Sequence, residues 1–257
     1  MKKTVKIIII VLAALILAGG AAGGVFYYSY QQEKKEAEKI ADPAEAEEGY
    51  QKMQETVVKK AEDPYESKID FEELQMVNQD VYAWIQIPDT NVDYPILQSV
   101  VEEDEYYLNT TIDGKTGLPG SIYTEKYNSP YFTDPVTVVY GHDMLDGTMF
   151  TDLHKYSDKT FFDSHPYFYI YLPDRTLKYQ VFAAVAFDDR YILGNYNFLD
   201  IDDFQKYLDE LKSSIEGNVN PNVEVTQEST IVTLSTCIAD YPDQRWLVNA
   251  TLAGQEQ

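Results

Sequence analysis

Cysteine is almost missing from this chain of 257 residues: Cys237 stands alone. A single cysteine excludes an intramolecular disulfide and any zinc site built on several thiolates. Histidine is scarce as well, with only His142, His154 and His165. These three show no HExxH spacing and no tight His/Asp cluster, so the pattern implies no metal and no cofactor. Positive charge is in deficit, with 20 Lys and Arg against 43 Asp and Glu and a formal net charge of -23. Nucleic-acid binding needs clustered Lys and Arg against phosphate, so that partner class is excluded. The acidity fits a solvated surface outside a cell, and it fits plain solubility equally well. No internal repeat is evident.

Long apolar runs are missing too, with one exception. Lys2, Lys3 and Lys6 precede Ile7-Ile8-Ile9-Ile10-Val11-Leu12, and no further charge appears until Glu33. A bilayer core needs roughly 20 apolar residues in a helix, whereas the apolar core of a cleaved signal is about 7–15 long. The run is long enough to span, and Phe26, Tyr27, Tyr28 and Tyr30 fit the far interface. The lysines hold the N-terminus inside, so the expectation is a single-pass anchor over 1–30 at the cell membrane, with the rest outside. The alternative is a cleaved signal processed among the small residues Ala18 to Gly24. Residues 31–68 are rich in Glu, Lys, Ala and Gln and suit a charged stalk or helical linker. A helix packed on the domain is the other reading there, because Tyr50, Met53 and Val57 recur at helical spacing.

From Ile69 to the end the texture is that of a packed domain, 69–257. Strands are expected over 81–87, 92–97, 120–124, 136–140, 167–172, 177–186, 230–236 and 246–251. Helical periods cover 149–156 and 201–215, the latter with Phe204, Leu208, Leu211 and Ile215 on one face. Many strands and few helices predict a mostly-β barrel or sandwich.

Chemistry concentrates in Glu228 to Asn249. The β-branched run Ile231 to Thr236 ends at Cys237, Ala239 to Asp243 reads as an irregular loop, and Arg245 opens a second strand. A lone cysteine reads as a buried inert thiol, an intermolecular disulfide partner or a nucleophile; the strand-end position with a cation across a loop favours the nucleophile. Its acid/base partner would be a histidine. His142 follows the strand 136–140 and Gly141, whose freedom allows a sharp turn. His154 reads as a helix-surface residue, and His165 precedes Pro166 at a turn. Asp143 neighbours His142, but adjacent residues on a turn point apart, so no triad is assigned.

Several segments together resemble the sortases, the cysteine transpeptidases of Gram-positive cell surfaces. Thr233-Leu234-Ser235-Thr236-Cys237 followed by Arg245 is similar to their TLxTC...R signature. Tyr140-Gly141-His142-Asp143-Met144 resembles their histidine segment, and Ala83 to Thr90 with Asp93 to Ile96 the entry strands of class B. The resemblance covers about Ile69 to Ala253. It implies a closed β-barrel of about eight strands with N-terminal and crossover helices, behind the transmembrane helix. It implies that Cys237 attacks the Thr carbonyl of a C-terminal sorting signal, that His142 moves the proton, and that Arg245 holds the oxyanion. The implied partners are surface proteins bearing that signal and a lipid-linked peptidoglycan precursor that supplies the amine. Ser235, Tyr191 and Tyr196 are the candidate groove residues. A pilin-polymerising sortase, a secreted cysteine peptidase without transfer and a non-enzymatic surface protein are the rival readings.

Overall fold

The computed structural model describes residues 40–256. The expected span over 1–30 and the first part of the stalk lie outside the described residues. Among the described residues no helix is long and apolar enough to cross a membrane. The compact unit that carries the site is Ala41–Gln257.

It starts with α1, Pro43–Val57. Asp42 caps this helix by accepting from the Ala44 and Glu45 amides, and Pro43 supplies a preset φ in the first turn. Tyr50 and Val57 are buried, so this stretch is a helix packed on the domain. The folded unit therefore begins before the composition change at Ile69. Two short strands follow, β1 (Val58–Lys59) and β2 (Lys68–Ile69), paired with each other, and then α2, Phe71–Val77.

The main sheet runs β3 (Val81–Gln86), β4 (Asp93–Leu97), β5 (Ile122–Tyr123), β6 (Val136–Tyr140), β7 (Tyr167–Tyr171), β8 (Thr176–Asp188), β9 (Gly217–Val219), β10 (Ile231–Ile238) and β11 (Tyr241–Glu256). Its order is β11-β10-β6-β5-β4-β3-β7-β8-β9, and β11 also pairs with β8. That last pairing closes β3 to β8 with β10 and β11 into a ring of eight, the barrel that the resemblance implied, and leaves β9 outside. Closure removes the free edges of an open sheet. The interior is filled by aromatic and branched side chains such as Trp84, Tyr94, Phe150, Phe168 and Tyr179.

Crossover helices cover the outside: α3 (Lys159–Ser164), the short α4 (Ile192–Asn195) and α5 (Ile201–Ser213). Asp200 caps α5, and Phe204, Tyr207, Leu208 and Leu211 bury one face against Phe182, Val185 and Leu247. The helix ends two residues short of the expected boundary. Ser214 leaves helical geometry and its hydroxyl donates to Ala186 O, which turns the fully exposed Ile215 away from the sheet.

The last two strands are longer than expected and the turn between them is shorter. Ile238 pairs with Tyr241, so only Ala239 and Asp240 form the turn, and Asp240 takes the positive φ of 66° that it needs. Arg245 therefore lies inside β11 rather than at its start.

Candidate active site

Strand register brings the expected residues together. In the antiparallel pair β10–β11, Cys237 lies directly opposite Arg245. Such partners share a face, with Cβ atoms about 4.5–5.5 Å apart. In the parallel pair β6–β10, Tyr140 lies beside Ser235, and the Gly141 amide donates to Ser235 O at 3.2 Å. His142 lies two residues beyond Tyr140 and Cys237 two residues beyond Ser235, so both follow the same end of the paired strands. His142, Cys237 and Arg245 thus come from three neighbouring chain segments, and all three line one cleft of about 290 Å³. Cys237 is an exposed free thiol.

The chain at His142 is held from several sides. Gly141 is needed for space and not for an unusual turn, because its φ lies outside the left-handed region. A Cβ there would sit 2.4 Å from Ile122 Cδ1 and 2.7 Å from the Phe150 ring. The Phe150 amide donates to His142 O at 2.9 Å, and Asp143 forms a bridge with Met149. The ring of His142 bonds through Nε2 to Leu108 O at 2.7 Å. A carbonyl can only accept, so Nε2 carries a proton and Nδ1 is the nitrogen left to gain or lose one. Leu108 belongs to the short 3-10 turn Tyr106–Asn109.

Arg245 makes no ion pair with Asp240 or Asp243 among the described residues. Its guanidinium donates to Pro242 O at 3.0 Å and Gln244 O at 2.8 Å. Both bonds use Nη1, so backbone positions the group and leaves its second terminal nitrogen without a hydrogen bond among the described residues. The rest of the cleft is acidic: Glu105, Glu125, Asp188 and Asp189 line it, against Arg190 and Arg245. Arg190 is itself paired with Asp188 and with Glu210.

Ser235 and Tyr191 line the cleft, and Tyr196 does not. The hydroxyl of Tyr191 donates to Glu125 Oε2 at 2.6 Å. Its ring lies over Gly194, where a Cβ would approach Tyr191 Cδ1 to 2.4 Å. Burial raises the Glu125 carboxyl above its ordinary range, reinforced by Asp104 and Glu105 and opposed by the Tyr191 donor. Tyr196 is buried against Phe198 and Tyr207, with its hydroxyl on Glu210 Oε2. It is a packing residue because α4 intervenes between the two tyrosines and turns them to different sides.

The other two histidines fall elsewhere. His165 stacks on Phe161 and bonds Asp89 Oδ2 at 3.1 Å, away from the cleft. His154 is not merely a surface residue: its Nε2 lies 3.0 Å from Cys237 O and 3.5 Å from Asp143 Oδ2. Asp143 therefore faces His154, in keeping with its exclusion from a triad with His142. Sequence reasoning missed Leu108, Glu125, Arg190 and His154. None stands in a motif, and Leu108 contributes only a backbone oxygen. Among the described residues no group of His, Cys, Asp and Glu could hold a metal ion.

Comparison with known proteins gives the family. Residues 85–253 match the Sortase family, described as a sortase domain. Sortase B of Listeria monocytogenes serovar 1/2a is 34% identical over 189 residues, covering 73% of this chain and 75% of the relative. Sortase B of Staphylococcus aureus is 34% identical over 177 residues, covering 67% and 69%. Among solved structures, a Staphylococcus aureus sortase B–substrate complex matches with a TM-score of 0.64 at 26% identity, covering 81% of this chain and 96% of that one. Sortase B complexed with triglycine matches with a TM-score of 0.63 at 30% identity, covering 71% and 84%.

Proposed function

The chain belongs to the sortase family, in its class B, and is a cysteine transpeptidase; from that premise we propose that it cleaves a C-terminal sorting signal after Thr and transfers the protein to an amine of a cell-wall precursor. The observation that carries the reading is the single cleft lined by His142 and by Cys237 and Arg245, the last two paired by strand register. The Cys237 thiolate attacks the Thr carbonyl carbon, and the carbonyl electrons move to oxygen. Arg245 donates to that oxyanion, its fork held by Pro242 O and Gln244 O. As the C–N bond breaks, His142 gives a proton from Nδ1 to the departing amine, and a thioester on Cys237 remains. An acceptor amine then attacks the thioester, His142 Nδ1 takes its proton, and the thiolate leaves. The bond from Nε2 to Leu108 O holds the ring through both steps.

The matched complexes of sortase B with substrate and with triglycine support a peptide donor and an amine acceptor of this kind. The run after Lys6 supports anchoring by a single N-terminal span, with the catalytic domain outside the membrane. Intact mass spectrometry of the enzyme with a sorting peptide tests the proposal. We expect an acyl adduct on Cys237 that an added amine converts to an amide product, and neither product with Cys237→Ala. An active Cys237→Ala variant overturns the site. Release of free acid alone, with amine present, overturns the proposed transfer to that acceptor.

A further inference from the structure

We propose that His154 is a positioning residue that locks the two strand ends carrying His142 and Cys237 at their working separation. The sheet itself stops too early to do this. Ser235 O points towards β6 and accepts from the Gly141 amide. Carbonyls two residues apart on a strand point the same way, so Cys237 O also points to the β6 side. But β6 ends at Tyr140, and beyond it the chain turns into the loop held by the Asp143–Met149 bridge. No ladder amide is positioned for the next bond. The donor that reaches Cys237 O is His154 Nε2, at 3.0 Å.

The same nitrogen lies 3.5 Å from Asp143 Oδ2, the residue next to His142. The imidazole thus touches the backbone of the nucleophile and the neighbour of the acid/base histidine at once. Its own position is fixed by β11. The ring lies against Trp246, 5.7 Å between centroids, and Trp246 Nε1–H donates to Leu153 O at 2.9 Å. Trp246 follows Arg245 in the chain, so His154 joins all three segments of the site. It also sits where the register of β10 breaks, between Cys237 and Ile238. That is where the strand's own regularity stops defining the Cys237 peptide plane. His154 lies outside the lining of the cleft and acts through Cys237 and Asp143.

The inference rests on reading Cys237 and His142 as the reacting pair, and its test separates the two. His154→Met keeps length and apolar contact with Trp246 but cannot donate. His154→Gln puts an amide donor at a similar reach. Misplacing reacting groups by about 1 Å costs on the order of 100-fold, so kcat of His154→Met should fall at least tenfold. KM should stay within about threefold, the pattern of a lost transition-state arrangement rather than lost binding. Melting should stay close to wild type, and His154→Gln should recover most of kcat. Wild-type kcat in His154→Met overturns the role, as does a loss confined to KM. If the Met variant fails to fold, His154→Gln decides alone: near-native kcat supports the proposal, and a tenfold loss with native melting overturns it. Cys237→Ala and His142→Ala run alongside. If either remains active, the reading of the site itself has failed; if both are inactive, the His154 result bears on His154 only.

Discussion

Adding one methyl group at Gly141 probes how tightly the barrel holds the histidine. In Gly141→Ala the new Cβ would lie 2.4 Å from Ile122 Cδ1 and 2.7 and 2.8 Å from two atoms of the Phe150 ring. Carbon atoms pack best at about 3.5–4.0 Å, so a neighbour or the backbone must move by about 1 Å. Ile122 offers the end of a side chain, but Ile122 and Phe150 are both buried to within 1%. Overpacking of this kind costs about 1–3 kcal/mol. For a folded unit of this size each kcal/mol lowers Tm by about 2–4 °C, so melting should drop by roughly 2–12 °C. The second effect is on rate. The Phe150 amide holds His142 O at 2.9 Å, so moving either the ring or Gly141 moves the proposed acid/base residue. A displacement of about 1 Å there is worth on the order of 100-fold in kcat. Calorimetry and a continuous peptide-cleavage assay would read the two effects separately. Ile122→Val removes the nearest contact, so the double variant should regain part of the lost Tm and part of the rate. Native melting and native kcat in Gly141→Ala would refute the packing argument. Lost rate unaltered in the double variant would show that Ile122 is not the obstacle.

Three further outcomes are expected. Arg245→Ala should lose at least about 100-fold in kcat, the usual effect of removing one oxyanion donor. Arg245→Lys should recover only part, because an ammonium cannot bond Pro242 O and Gln244 O and still present a planar pair of donors; full activity in the Lys variant would show that charge alone matters. For Glu125 the sign follows from its raised carboxyl. The folded state binds this proton more tightly than the unfolded chain, so stability falls as pH rises from the unfolded value towards the folded one, and the cost is complete above the folded value. Glu125→Gln should therefore melt higher than wild type at pH 8, with the gain fading to nothing below the ordinary value of 4.5; a gain that grows on acidification contradicts this. Protease added to wall-stripped protoplasts should remove the catalytic domain, and protection of the domain would reverse the proposed topology.

Much of the barrel is legible in the sequence because its strands carry strong local signals. Val136 to Tyr140 and Ile231 to Thr236 are β-branched runs whose ends place His142 and Cys237 at chain exits. Other features depend on pairings between distant segments, which leave no local trace. The closure of β8 on β11 is one, and the short β9 is another, since Gly217-Asn218-Val219 has no strand pattern until it lies beside β8. The turn after Cys237 reads as a loop because Asp240, Pro242 and Asp243 are turn formers. In the structure β8 pairs with Gln244 and Arg245, and Ile238 pairs with Tyr241, which draws these residues into extended geometry. Tyr191 and Tyr196 look equivalent in an irregular stretch. Gly194 lets the first lie over its backbone at the cleft, and the Glu210 carboxylate draws the second under α5.

The orientation of His142 shows why part of the site leaves no mark in the residue pattern. A search for a triad looks for a carboxylate, and the nearest one in sequence, Asp143, faces His154 instead. The bond to His142 comes from Leu108 O, and any residue type has that oxygen. What the position requires lies elsewhere in the chain. Gly120, at φ 65°, passes so close that a Cβ would sit 2.3 Å from Leu108 O, and the Ser121 amide bonds Tyr107 O beside it at 3.0 Å. A side chain at 120 would push that carbonyl away from the imidazole. The residue type needed to orient His142 is thus a glycine outside the bond itself, reached through the Tyr106–Asn109 turn, which buried Tyr107 ties to the core.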